Sequence, residues 1–183
     1  VCVKPAFVDI AARELEGTDI GVGTVVNFPH GNSTPSVIAL EAYEAIGAGA
    51  NELDVVINIG AALTGQWNLV RDGLEAAISI GHEWGALVKI ILETCYFSDS
   101  AIRKISKLCA DAGADFVKTS TGYGPFGATA VAVKLMTVAV NGRCQVKASG
   151  GIASYEDAEL YLDLGCTRLG SSKVEELFPY DVV

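Results

Sequence analysis

At 183 residues, half of them apolar and 19% charged, the chain can bury one sizeable core but not two comfortable ones. A net charge of −9 argues against nucleic acid or an anionic membrane surface as partner, so a phosphate group would have to be held by local geometry. Five cysteines (Cys2, Cys95, Cys109, Cys144, Cys166) make an odd count with no CxxC pair, and no apolar run approaches the roughly 18 residues of a membrane span. The expectation is a cytoplasmic protein with reduced, mostly buried thiols, no disulfide framework, no signal peptide, no metal and no cofactor.

Seven short apolar or β-branched runs predict strands over residues 1–3, 21–27, 52–58, 87–93, 115–120, 145–149 and 167–170. Helical patterns fill the intervals. Thr34 reads as an N-cap with Pro35 at the first helical position, and Gly47 or Gly49 closes that helix. Ser98 and Asp99 open a later helix that ends at Gly113. Ser154 and Asp157 have capping-box spacing, and Gly165 falls where a C-terminal cap belongs. Trp67, Trp84 and Met136 read as helix packing residues. His82 reads as a solvated residue at a helix end, and His30 as a strand-end residue able to line a site.

Strict alternation of strand and helix implies parallel strands with right-handed crossovers. Runs such as Leu53-Asp54-Val55-Val56-Ile57 are nearly continuous in apolar residues, as expected when both faces are covered. No linker or charge run divides residues 1–183, which read as a single domain. Seven strands do not close a barrel of this type, whereas eight do. The Gly/Ser turns Ser149-Gly150-Gly151 and Gly170-Ser171-Ser172 follow the sixth and seventh runs. One further strand ahead would place them after strands 7 and 8, where such barrels commonly hold phosphate. The predicted fold is thus an α/β TIM (β/α)₈ barrel, N-terminally truncated by one βα unit.

Four ionisable residues interrupt the apolar strands: Asp54, Lys89, Lys118 and Lys147. An unpaired charge on a strand covered on both faces costs several kcal/mol of desolvation. Four of them on four consecutive strands, about 4.8 Å apart, point to a cluster in the barrel interior. Burial and a second ammonium nearby both push a lysine toward its neutral, nucleophilic form. Lys118 and Lys147 supply such a pair, Asp54 can hold a water or move a proton, and Lys89 can keep Asp54 ionised. A neutral lysine beside an acid/base group suits carbonyl–amine chemistry, with retro-aldol cleavage as its simplest member. Two other readings stay open, a different phosphate-binding barrel such as a sugar-phosphate isomerase and an inactive relic. Lys118 ends its strand, and Thr121-Gly122 opens the following loop at the end where such barrels carry their chemistry. Gly150, Gly151, Ser171 and Ser172 lie just before helix N-termini, which favours an anion.

Asp115-Phe116-Val117-Lys118-Thr119-Ser120-Thr121-Gly122 resembles the Schiff-base signature of the deoxyribose-phosphate aldolases. Val146-Lys147-Ala148-Ser149-Gly150-Gly151-Ile152 resembles that family's second-lysine motif, and Glu52-Leu53-Asp54-Val55-Val56-Ile57-Asn58 the strand bearing its proton-relay aspartate. The resemblance runs from end to end. It implies an imine on Lys118, a perturbing and proton-moving Lys147, and a water activated by Asp54 with Lys89. The implied reaction is reversible cleavage of 2-deoxy-D-ribose 5-phosphate to D-glyceraldehyde 3-phosphate and acetaldehyde. The partners it implies are a phosphorylated sugar and a small aldehyde, with a homodimer left open. Tyr123 stands where some members carry a lysine, and no Asp-x-Thr motif precedes Val1.

Overall fold

A computed structural model of the chain describes residues 1–177, so the last six positions of the 1–183 span lie outside the described residues. Seven strands form one wholly parallel sheet whose spatial order is the chain order. They are β1 (Cys2–Val3), β2 (Gly23–Val26), β3 (Glu52–Val56), β4 (Leu87–Ile91), β5 (Phe116–Lys118), β6 (Gln145–Ser149) and β7 (Arg168–Gly170). Helix α1 (Val8–Glu14) follows β1, and α2 (Pro35–Gly47) follows β2. A short α3 (Ile59–Leu63) and a long α4 (Trp67–Glu83) follow β3. Then come α5 (Asp99–Asp111), α6 (Ala130–Val140), α7 (Tyr155–Asp163) and a brief α8 (Val174–Leu177). The described residues thus supply seven consecutive parallel strands of an α/β barrel of the TIM type. Between the two edge strands a slot of about 540 Å³ opens, bordered by Val1 and Cys2 on one side and Arg168 and Leu169 on the other.

The strands end sooner than their apolar runs, and the reasons are local. Asn27 and Glu93 both adopt left-handed backbone (φ 55°), which turns the chain off the ladder after β2 and β4. Asn58 leaves β3 to cap α3, its side chain accepting the Ala61 N–H at 2.9 Å. Residues 119 and 120 peel away from β5, although Thr119 still donates to the Lys147 carbonyl. Between sheet and helices lies a continuous core. Ile38, Leu74, Ile105 and Met136 from four helices meet Leu53, Val88, Ile90 and Val117 from the strands. Each fully buried aliphatic side chain of this kind contributes about 2 kcal/mol.

The helix punctuation follows the sequence with small shifts. Ser98 caps α5, and Ser154 and Asp157 form the expected capping box. Ala48 ends α2, so Gly49, with φ 109°, takes the left-handed position and Gly47 stays in the last turn. Thr34 stands at the N-cap position, but its hydroxyl pairs with Ser36 instead of a helix N–H. Met136 is buried and Trp67 half-buried, its ring beneath Lys104. Trp84 is a correction. It follows the last turn of α4 and is 57% exposed, resting edge-on against Tyr43.

Candidate active site

The strand register brings the interior charges together. Asp54 on β3 stands opposite Lys89 on β4, and Lys118 at the end of β5 stands opposite Lys147 on β6. Asp54 Oδ2 accepts from Lys118 Nζ at 2.7 Å and from Lys147 Nζ at 2.8 Å. Lys89 Nζ lies 3.0 Å from Asp54 Oδ1, close enough to pair electrostatically but off the hydrogen-bond angle. The depths are graded. Asp54 and Lys89 are 1% and 0% exposed, whereas the tips of Lys118 and Lys147 border a cavity of about 350 Å³.

Two further groups complete the cluster. Glu52 Oε2 lies 2.8 Å from Lys89 Nζ and 2.6 Å from Arg168 Nη1. Four cations thus face two carboxylates around one axis. Burial alone would raise the Asp54 carboxyl, but Lys118, Lys147 and Lys89 outweigh it and hold it below the usual carboxylate range. Burial, the largest influence on Lys147, lowers its pKa. Asp54 restores part of the loss, and Lys118 and Lys89 push it lower again. A lysine that gives up its proton more readily than in water is therefore present, held against a carboxylate that stays ionised.

Thr121, Gly122, Gly150, Gly151, Ser171 and Ser172 all line the cavity that receives Lys118 and Lys147. Gly150 and Gly151 share a positive φ of 82°, and the N–H groups of Gly151 and Ser172 meet no acceptor among the described residues. Gly127 packs directly on this turn. A Cβ there would come 2.1 Å from the Gly150 carbonyl oxygen, so the loop after β5 braces the loop after β6. One part of the helix-terminus expectation is corrected. The N-terminus of α7 is filled by its own residues, since Ala153 and Ser154 donate to Asp157 and Asp157 donates to Ser154 Oγ. Among the described residues, the N–H group left without an acceptor there is that of Gly151, in the glycine turn before it.

Sequence reasoning passed over Glu93. It is 2% exposed, and its carboxylate accepts from both the N–H and the hydroxyl of Thr121. Thr121 is thereby committed to Glu93, which fixes the turn that follows Lys118. Read simply as the last residue of an apolar run, Glu93 was passed over, although a carboxylate where the run should have been apolar was the available signal. His30 is exposed and borders a separate cavity of about 400 Å³ with Asn58, Glu93 and Tyr123. His82 lies 3.0 Å from Asp115 Oδ2, which also accepts the Val88 N–H, so it ties α4 to the strand ends. Cys109 and Cys166 are buried as expected. Cys2 is not, for it is exposed at the slot and borders the lysine cavity.

Comparison with known proteins shows the family. The model of the DeoC/LacD family aldolases matches residues 1–164. The chain belongs to that family. Its members are carbon–carbon lyases, which removes the isomerase reading. The deoxyribose-phosphate aldolase of Caldanaerobacter subterraneus subsp. tengcongensis is 46% identical over 173 residues, covering 94% of this chain and 75% of the relative. That of Treponema denticola is 44% identical over 172 residues, covering 94% and 80%. Among solved structures, the aldolase QR15 superposes with a TM-score of 0.90 at 37% identity, covering 97% of this chain and 78% of the other. The tetrameric deoxyribose phosphate aldolase of Aeropyrum pernix gives 0.88 at 30%, covering 96% and 74%. No helix among the described residues is long and apolar enough to cross a membrane.

Proposed function

We propose that this aldolase cleaves 2-deoxy-D-ribose 5-phosphate reversibly to D-glyceraldehyde 3-phosphate and acetaldehyde, through an imine on Lys118. The observation that carries the reading is the sharing of Asp54 Oδ2 by Lys118 and Lys147 at 2.7 and 2.8 Å, at the floor of a cavity whose rim is built from Gly/Ser turns.

The neutral amine of Lys118 attacks the aldehyde carbon of the open-chain sugar, and the carbinolamine loses water to give an iminium. A base removes the proton of the C3 hydroxyl, the C2–C3 bond breaks, and its electron pair moves into the iminium to form an enamine. Glyceraldehyde 3-phosphate departs, the enamine takes a proton at C2, and water releases acetaldehyde and restores the amine. Asp54 and Lys147 are the groups placed to move these protons, directly or through a water, and Lys89 keeps Asp54 anionic. Gly122, Gly150, Gly151, Ser172 and the backbone of Ser171, whose hydroxyl already donates to the Ile152 carbonyl, would hold the phosphate through short-range donors, as an acidic chain requires. Thr121 would act by presenting that turn.

The single sheet and continuous core of the described residues support the reading of 1–183 as one domain. The cytoplasm is its proposed setting, and a homodimer is the assembly to test first. Assay of the purified chain with 2-deoxyribose 5-phosphate, reading glyceraldehyde 3-phosphate by a coupled dehydrogenase, should show turnover that Lys118→Ala abolishes. Equal turnover by the variant would exclude the imine route.

A further inference from the structure

The interior charges form an alternating chain that extends past the groups the reaction uses. From the slot inward it runs Arg168, Glu52, Lys89, Asp54 and then the lysine pair. Arg168 Nη1 is 2.6 Å from Glu52 Oε2, Glu52 Oε2 is 2.8 Å from Lys89 Nζ, and Lys89 Nζ is 3.0 Å from Asp54 Oδ1. Neither outer member lines the cavity that Lys118 and Lys147 share, although both line the slot, which also reaches Lys147. Arg168 is held in place from its other side by the ring of Phe116, 5.0 Å below its guanidinium.

We propose that Glu52 and Arg168 are positioning residues that set the pH range of imine formation by deciding how Lys89 divides itself between the two carboxylates. The proposal rests on the Schiff-base reading above. Lys89 is fully buried and has two anionic neighbours, so what it gives to one it withholds from the other. With Arg168 on Glu52, that carboxylate is partly neutralised and Lys89 is left to Asp54. Asp54 then has less negative charge to offer the two lysines, and their neutral forms gain. Glu52 acts in the opposite sense, drawing Lys89 away and leaving Asp54 to stabilise the ammonium forms. The direct Coulomb effect of each outer charge on the lysines has the same sign as its effect through Lys89, so the two add.

Among the described residues, the titratable and charged groups that face the lysine pair come from several elements. They are Cys2 on β1, Glu52 and Asp54 on β3, Lys89 on β4 and Arg168 on β7, with Lys173 at the cavity rim and Glu93 turned to Thr121. Strand β2 contributes no titratable side chain. Burial would raise the Glu52 carboxyl, but the Lys89 ammonium beside it and the hydrogen bond from Arg168 outweigh burial and hold it below its ordinary value.

The test compares the unaltered chain with Glu52→Gln, Arg168→Met and Arg168→Lys. Acetaldehyde bound as an imine is captured with cyanoborohydride over a range of pH, and the rate of labelling on Lys118 is read by mass spectrometry. Glu52→Gln, nearly isosteric, should move the pH midpoint of capture down by about one unit. Arg168→Met keeps the stem over Phe116, removes the charge, and should move the midpoint up by a similar amount. Arg168→Lys should return it most of the way. A merely structural role predicts lower rates with one common midpoint, and that result, or shifts of the same sign, overturns the proposal. If Arg168→Met does not fold, the sign of the Glu52→Gln shift decides alone. Absence of labelling at every pH in the unaltered chain would instead overturn the Schiff-base reading and this proposal with it. Labelling with an unmoved midpoint would overturn only the proposal.

Discussion

Asp54→Asn tests the energetics of the cluster most sharply. The substitution keeps shape and removes the one charge that three ammonium groups share, at 2.7, 2.8 and 3.0 Å. At an effective dielectric of 20, a single contact at 2.8 Å is worth about 6 kcal/mol before desolvation is subtracted. Breaking a buried ion pair typically costs about 3–5 kcal/mol. A loss of about 4 kcal/mol in unfolding free energy is thus expected at pH 6. The loss must shrink as pH rises. Lys147 already has a lowered pKa in the folded chain, so the unfolded chain binds more protons and stability climbs with pH toward 10.5. Without Asp54 that depression deepens, and the slope becomes steeper. Urea unfolding at pH 6 and pH 9.5 would measure both. A deficit below about 1 kcal/mol, or one that does not change between the two, would show that the cluster is not held by this carboxylate. Turnover should fall by about 10²–10⁴, the usual worth of a proton-transfer group.

Acidification should lower stability further, through the carboxylates. Asp54 and Glu52 both lie below their ordinary values, so their contribution is intact above about pH 4.5 and is lost as pH falls through the folded values. Acid unfolding should be steep in the unaltered chain and shallower in Asp54→Asn, and parallel curves would contradict the assignment. Gly127→Ala should raise KM for the phosphorylated sugar at least about tenfold, because its Cβ would strike the Gly150 carbonyl at 2.1 Å. An unchanged KM, measured beside unphosphorylated deoxyribose as control, would detach the glycine turn from the phosphate. Glu93→Ala should lower the melting temperature and loosen the same KM through Thr121, and Glu93→Gln should recover most of both. No difference between the two variants would mean that the carboxylate is idle.

Much of this site could be read from the chain because desolvation makes buried charge conspicuous. Asp54, Lys89, Lys118 and Lys147 stood out in apolar runs, and the parallel register then had little choice but to gather them. Glu52 was missed although it lies two residues from Asp54, and so on the same face of β3. At the first position of a strand, a carboxylate reads as a solvated end. Arg168 was hidden for the same reason in a three-residue strand. Strand ends were misjudged because left-handed backbone at Asn27 and Glu93 is a tertiary outcome that no apolar pattern announces. The glycine turn was found, but its donors were credited to a helix terminus that Ser154 and Asp157 already satisfy. Trp84 shows the limit of equating a large aromatic ring with packing, since it lies on the outer surface.

The central claim is that Lys118, and not its neighbour Lys147, becomes covalently bound to the aldehyde. Reducing the chain with borohydride in the presence of isotopically labelled acetaldehyde, digesting it, and sequencing the labelled peptide by mass spectrometry decides this directly. The account predicts one N-ethyl group on Lys118 in the segment Phe116-Val117-Lys118-Thr119, none on Lys147, and none on either without acetaldehyde. Label on Lys147 alone, or no label in a folded and catalytically active chain, would contradict it.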